Sequence, residues 1–285
     1  MNSPIISATD LQALIASDAD VRILDTSFHL DNTSLGRAQF EACHIAGAIY
    51  ADLDQDLSAK DAEHAFNGGR HPLPTREHFA YTLGRWGITP ETQVVVYDQV
   101  GTLTAGRLWW MLRWCGHAHV QVLDGGWPAW QAAQGACASG PSANPETRSP
   151  YPLEQPLTSV RTHEQIQACL GNPNQTLVDA RGAPRYRGET EALDPVAGHI
   201  PGALNRPYTE NFEPDGRFKS PQTLRDEWLA LLGHRDTDSV VAYCGSGVSA
   251  TPNLISLELA GLGSQGLYAG SWSEWSRAGL PCAKG

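Results

Sequence analysis

The sequence predicts an α/β protein made of two tandem copies of one domain, each a parallel β-sheet flanked by α-helices on both faces. Two observations carry this: four landmarks occur twice in the same order, and within each copy short apolar runs alternate with helical patterns. Val21-Arg-Ile-Leu-Asp25 returns as Leu177-Val-Asp179, His44-Ile-Ala-Gly-Ala48 as His199-Ile-Pro-Gly-Ala203, Val94-Val-Val-Tyr-Asp98 as Val240-Val-Ala-Tyr-Cys244, and Gly126-Trp-Pro-Ala-Trp130 as Ser271-Trp-Ser-Glu-Trp275, at offsets of 154, 155, 146 and 145 residues. Offsets that differ only by a loop's worth of residues mark a duplication. Between the copies, residues 139–156 are rich in Pro and Ser and show no hydrophobic period, so they read as an exposed linker. The domains are then 1–138 and 157–285.

In the first copy the pattern gives a helix over 10–16, a strand over 21–25, a helix over 76–86, a strand over 94–97, a helix over 104–115 and a strand over 120–123. The second gives a helix over 162–170, a strand over 177–179, a helix over 221–232, a strand over 239–243 and a helix after Gly247. Strands apolar on both sides must be covered on both faces, which a parallel sheet with crossover helices achieves.

Composition removes several classes of function. Lys+Arg number 20 against Asp+Glu 31, a formal charge of −11 with only three lysines, which argues against a nucleic-acid groove or a polybasic lipid surface. No run approaches the roughly 18 apolar residues of a membrane span, and Met1 to Asp10 lacks the basic and apolar regions of a secretory leader, so the expectation is a cytoplasmic protein. The six cysteines, Cys43, Cys115, Cys137, Cys169, Cys244 and Cys282, show no CxxC pair and no zinc spacing. Reduced thiols, no metal and no cofactor are expected.

Parallel α/β sheets place ligands beyond the carboxyl ends of their strands. In the second copy that position is Cys244-Gly-Ser-Gly-Val-Ser-Ala250. A cysteine at a strand end, followed by a Gly-x-Gly turn and a helix start, has its sulfur ringed by backbone N–H groups, surroundings that stabilise an anion on it. Other readings compete. A core thiol needs no such turn. A dinucleotide fingerprint, G-x-G-x-x-A, wants an acidic residue about 20 positions on at the next strand end, whereas Glu258 comes early and inside the predicted helix. A phosphatase loop wants Arg where Ala250 stands.

Taken together, Asp25 and Asp179, the paired His-Ile-x-Gly-Ala motifs, Leu123-Asp-Gly-Gly-Trp127, Gly270-Ser-Trp-Ser-Glu-Trp275 and the Cys244 loop resemble the tandem-domain rhodanese-like sulfurtransferases, across nearly the whole chain. The resemblance implies an active site between the domains and one catalytic cysteine, in the second. Asp98 stands at its first-copy equivalent and is no sulfur nucleophile. It also implies that Cys244 takes sulfur from a small-molecule donor as a persulfide and yields it to cyanide or a thiol acceptor, such as a small thiol or a thioredoxin-like protein. The N–H groups of Gly245, Ser246, Gly247, Val248 and Ser249 would hold the anion.

Within that family the uncharged Cys-Gly-Ser-Gly-Val loop is similar to the 3-mercaptopyruvate branch, whereas the thiosulfate branch carries basic residues there. The same branch implies a proton relay of Ser246, His71 in Arg70-His-Pro-Leu-Pro74, and Asp54 in Asp52-Leu-Asp54, with Arg185 binding the donor's anionic group. One feature departs from the branch: residues 189–198 contain no second substrate arginine. The grip on the donor is then either weaker or supplied by Arg181 or Arg187, and thiosulfate stands as the alternative donor. A non-catalytic sulfur carrier is the alternative of another class.

Overall fold

A computed structural model describes residues 3–285 apart from 18, 144, 146, 147 and 264. The chain forms two compact units. One comprises Met1–Ala59, Pro74–Leu157 and Glu213–Phe218, and the other Lys60–Leu73, Thr158–Phe212 and Lys219–Gly285. Each unit thus takes a short segment from the opposite half of the sequence, which a single cut through residues 139–156 does not anticipate.

The first unit holds β1 (Ile5–Ile6), α1 (Ala8–Ile15), β2 (Val21–Asp25), α2 (Leu35–Ala42), β3 (His44–Ile45), β4 (Ile49–Tyr50), α3 (Arg76–Arg85), β5 (Gln93–Tyr97), α4 (Leu103–Trp114), β6 (Val120–Leu123), α5 (Gly126–Ala132) and β7 (Cys137–Ala138). Its main sheet is parallel, in the order β1-β6-β5-β2-β4, and β3 pairs antiparallel with β7. The second unit holds β8 (Ser159–Arg161), α6 (His163–Ala168), β9 (Thr176–Asp179), α7 (Ala183–Tyr186), β10 (Leu204–Asn205), α8 (Pro221–Leu232), β11 (Val240–Tyr243), α9 (Thr251–Leu259), β12 (Gly266–Tyr268) and α10 (Ser271–Trp275). Its sheet is also parallel, in the order β10-β9-β11-β12-β8.

Local chemistry sets the element bounds. Ser7, Thr75 and Ser220 each accept an amide of the first turn of α1, α3 and α8, and Thr162 forms a capping box with Gln165 at α6. Every residue of β9 and β11 is buried, so side chains on both faces of the sheet pack against cover. The two- and three-residue strands and the helices α2, α5, α7 and α10 carry no apolar pattern that sets them apart in the sequence.

The repeated landmarks are repeated physical devices. The Tyr97 hydroxyl accepts the amide of Ile45 at 3.1 Å, and Tyr243 accepts that of Ile200 at 3.2 Å. His44 Nδ1 meets Phe40 O at 2.7 Å with its ring stacked on Phe40, and His199 Nδ1 meets Tyr186 O at 2.8 Å, stacked on Tyr186. The tryptophans Trp109, Trp110, Trp130, Trp272 and Trp275 are buried core. Most described residues of 139–156 are exposed, but the segment is docked at points along its length. Arg148 N and Tyr151 N bond to carbonyls of α3, Tyr151 is buried, and its hydroxyl meets His117 Nδ1 at 3.1 Å. Proline prevents a helix there without preventing docking. No helix among the described residues is long and apolar enough to cross a membrane.

Candidate active site

Cys244 follows β11, the central strand of the second sheet, and is 1% exposed. Its loop runs to α9 through Gly247, whose φ of +74° puts it in the left-handed region. A Cβ there would lie 2.2 Å from Ala269 O, so both dihedral and space require glycine. The loop is braced from the start of α10: Trp272 N donates to Cys244 O at 3.0 Å, and Ser273 N to Gly245 O at 2.8 Å. Ser271 Oγ accepts the amide of Cys244 at 3.1 Å, donates to Tyr268 O at 2.9 Å, and lies 4.0 Å from Cys244 Sγ.

What the loop's amides can hold is visible in the first unit. Asp98, at the matching position after β5, is fully buried, with Oδ1 accepting the amides of Val100 and Thr102 and Oδ2 those of Thr104 and Ala105, at 2.9 to 3.1 Å. The strand-to-helix turn is therefore an anion cradle, filled there by a built-in carboxylate. In the second unit the amides of Gly245, Ser246, Val248 and Ser249 donate to no described group. Cys244 stands one residue after β11, as Asp98 stands one residue after β5.

Ser246 Oγ and His71 Nδ1 are 2.8 Å apart, and both residues are buried. The second unit thus contains Cys244, Ser246, His71 and Arg185 together. Asp54 belongs to the first unit, on the loop after β4, where its amide donates to Asp52 Oδ1 at 2.9 Å.

Arg185, in α7, pairs with Glu191 through Nε and Nη2, and an added Cβ on Gly245 would lie 3.5 Å from its Nη1. Burial alone would raise the Glu191 pKa. The amide of Leu193 and the guanidiniums of Arg185 and Arg181 outweigh it, holding the carboxyl below its ordinary value.

The two substitutes expected for a second substrate arginine are taken up by other partners. Arg181 is buried, forked onto Asp179, bonded to Gly198 O at 2.7 Å and stacked over Trp272. Arg187 is exposed and paired with Glu189 at 2.6 Å. Both are consumed by neighbouring carboxylates, a competition that motif position does not reveal.

Ser271 and Arg70, whose Nη2 would lie 3.1 Å from a Cβ on Gly245, also border the loop and are passed over by sequence reasoning. The signal for Ser271 lay in the repeat itself, where Gly126 becomes serine. Gly126 has φ +53° and Ser271 φ +54°, so the second copy places a side chain in a conformation that the first reserves for glycine. A hollow of about 710 Å³ bounded by Leu170, Thr176, Gly202 and His234 lies at the amino ends of the strands, away from this chemistry.

The Rhodanese-like domain family matches the chain twice, over residues 7–133 and 162–278. A Pseudomonas aeruginosa protein named "Probable 3-mercaptopyruvate sulfurtransferase" is 44% identical over 276 residues, 96% of this chain and 95% of that one. The mouse protein named "Thiosulfate sulfurtransferase" is 33% identical over 269 residues, 92% of this chain and 86% of that one. The solved 3-mercaptopyruvate sulfurtransferase from Leishmania major superposes with a TM-score of 0.84 at 31% identity, covering 97% of this chain and 75% of that one. With family matches over both 7–133 and 162–278 and sulfurtransferase relatives along nearly its whole length, the chain belongs to the tandem-domain rhodanese family of sulfurtransferases.

Proposed function

We propose that the protein moves a sulfane sulfur from 3-mercaptopyruvate to cyanide or a thiol acceptor, a small thiol or a thioredoxin-like protein, through a persulfide on Cys244. The observation that carries this reading is the 2.8 Å contact of His71 with Ser246 beside an uncharged cysteine loop. In this scheme the C-terminal domain, 157–285, does the chemistry with His71 from the 60–73 segment of its compact unit. The N-terminal domain, 1–138, is non-catalytic because Asp98 replaces the nucleophile.

The Cys244 thiolate attacks the donor sulfur. The S–S bond forms as the donor's C–S bond breaks, and its electron pair leaves on the three-carbon fragment as the enolate of pyruvate. That enolate needs a proton. With its proton on Nδ1, His71 donates to Ser246 Oγ, whose own proton is then available to the leaving group. Asp54 is the third member of this set by resemblance. The persulfide anion is stabilised by the amides of residues 245–249, and an acceptor thiolate then attacks the outer sulfur, returning Cys244 as thiolate.

Thiosulfate would load the same cysteine, but its leaving group, sulfite, departs without a proton. The two donors therefore separate the roles. Cys244→Ser abolishes transfer from both and abolishes the mass gain of one sulfur atom on the donor-treated protein. Ser246→Ala and His71→Gln lower kcat for 3-mercaptopyruvate by about 10²- to 10⁴-fold, the usual worth of general acid catalysis, and lower it far less for thiosulfate. Equal losses with both donors, or a wild-type preference for thiosulfate in kcat/KM, would overturn the assignment.

A further inference from the structure

We infer that Arg70 is the second anion-binding arginine of this site, doing from the 60–73 segment what residues 189–198 lack. The inference rests on the reading of Cys244 as the sulfur-carrying group and names what holds the donor's anionic end beside it.

Three features single out Arg70. Its backbone is built into the cysteine loop's own brace: Gly68 N donates to Glu274 Oε1 at 2.6 Å and Arg70 N to Ser273 Oγ at 2.9 Å. Between them Gly69 has φ +96°, and a Cβ there would lie 2.7 Å from Ser273 Oγ, so the segment is fitted to residues 270–274. Those are the residues that hold Cys244 and Gly245.

The guanidinium is anchored at one nitrogen and offered at another. Nη1 pairs with Asp194 Oδ1 at 3.0 Å, while Nη2 donates to no described residue and lies 3.1 Å from where a Cβ on Gly245 would be. Arg185 repeats the arrangement, with Nε and Nη2 committed to Glu191 and Nη1 facing the same point. Two guanidinium nitrogens with unused N–H groups therefore converge on the residue next to the nucleophile. Gly245 keeps that space clear of a side chain.

The anchor stands where the expected arginine is missing. Asp194 has a fully buried side chain and also meets Arg277 Nη1 at 3.0 Å and Arg185 Nη2 at 3.5 Å. Residues 189–198 thus supply the carboxylate that holds Arg70 in place of an arginine of their own. Around the loop the guanidiniums of Arg70, Arg181, Arg185 and Arg277 are held by the carboxylates of Asp179, Glu191 and Asp194. Two planar forks of this kind suit a carboxylate, the head of an α-keto acid.

The test uses two alkylating agents with the same reacting carbon: 3-bromopyruvate, which carries the carboxylate, and bromoacetone, which does not. Alkylation of Cys244 in the full chain is followed by peptide mass spectrometry, alongside KM and kcat for 3-mercaptopyruvate. Losing one charge-assisted contact predicts that Arg70→Met lowers the bromopyruvate-to-bromoacetone rate ratio by about 10- to 100-fold and raises KM by a like factor. The bromoacetone rate and kcat should stay within about twofold. Arg185→Met should lower the ratio similarly, and Arg70→Lys, which keeps the charge but replaces the fork by a single nitrogen shared with Asp194, should restore only part of it. An unchanged ratio in Arg70→Met beside a lowered one in Arg185→Met would overturn the proposal and leave Arg70 a structural tie to Asp194. A fall in the bromoacetone rate matching that with bromopyruvate would overturn it too, since only the loop would have been disturbed. Because the ratio needs no sulfur donor, failure of 3-mercaptopyruvate as substrate leaves it readable.

Discussion

Ser271 sits at φ +54° with its hydroxyl under the Cys244 amide. A non-glycine residue in the left-handed region costs about 1–2 kcal/mol, and a buried hydrogen bond lost without replacement costs about 1–3 kcal/mol. Ser271→Gly relieves the first but gives up two such bonds, from the Cys244 amide and to Tyr268 O, so a net loss of about 1–3 kcal/mol is expected. The hydroxyl is also the group that fixes the Cys244 backbone, and it lies 4.0 Å from the sulfur. The expected result is a lowered denaturation midpoint together with kcat per folded molecule lowered about tenfold or more, as a shifted Cys244 would give under the proposed function. A variant that loses stability heavily but keeps kcat per folded molecule would show that the serine is there for folding. Cys244, Ser246 and Arg185 could be proposed from the sequence because they lie on or beside a motif. Ser271 and Arg70 could not, because what brings them to the loop is backbone conformation and an ion-pair partner far away in sequence.

At the scale of elements, the strand-to-helix turns after β5 and β11 are one device used twice. In the first unit Asp98 satisfies four backbone amides and the Thr104 hydroxyl. Asp98→Ala would strand these donors in a buried setting. At about 1–3 kcal/mol for an unsatisfied group, moderated by water entry, the expected loss is roughly 3–5 kcal/mol in urea unfolding. Asp98→Asn keeps one acceptor oxygen and gives up the charge, so it should lose about half as much. Equal stability of wild type and Asp98→Ala would mean that the carboxylate is not what closes the turn. Long strands and helices were readable here because apolar periodicity persists over them, as for β2, β6 and α8, whose bounds coincide with the pattern. The exchange of residues 60–73 and 213–218 between the compact units was not, since loops carry no period that states where they pack.

For the molecule as a whole, acid is the condition that most directly tests how the chain is held, and His117 gives it a sharp handle. The residue is 1% exposed, its Nδ1 meets the Tyr151 hydroxyl, and its Nε2 has no partner among the described residues. Desolvation pushes its pKa down to about 4, so the folded first unit holds a neutral imidazole where the unfolded chain takes up a proton near the ordinary value of about 6.5. The sign follows. Stability owed to neutral His117 is fully present above about pH 6.5 and is lost as the pH falls towards 4, an effect of roughly 3 kcal/mol across that window. Because Tyr151 ties the 139–156 segment to this histidine, the loss falls on that segment's docking as well as on the core beneath it. Urea midpoints measured from pH 7 to pH 4 should therefore drop more steeply for wild type than for His117→Gln, which cannot titrate. Parallel curves would mean that carboxylate protonation alone governs acid unfolding of this strongly acidic chain.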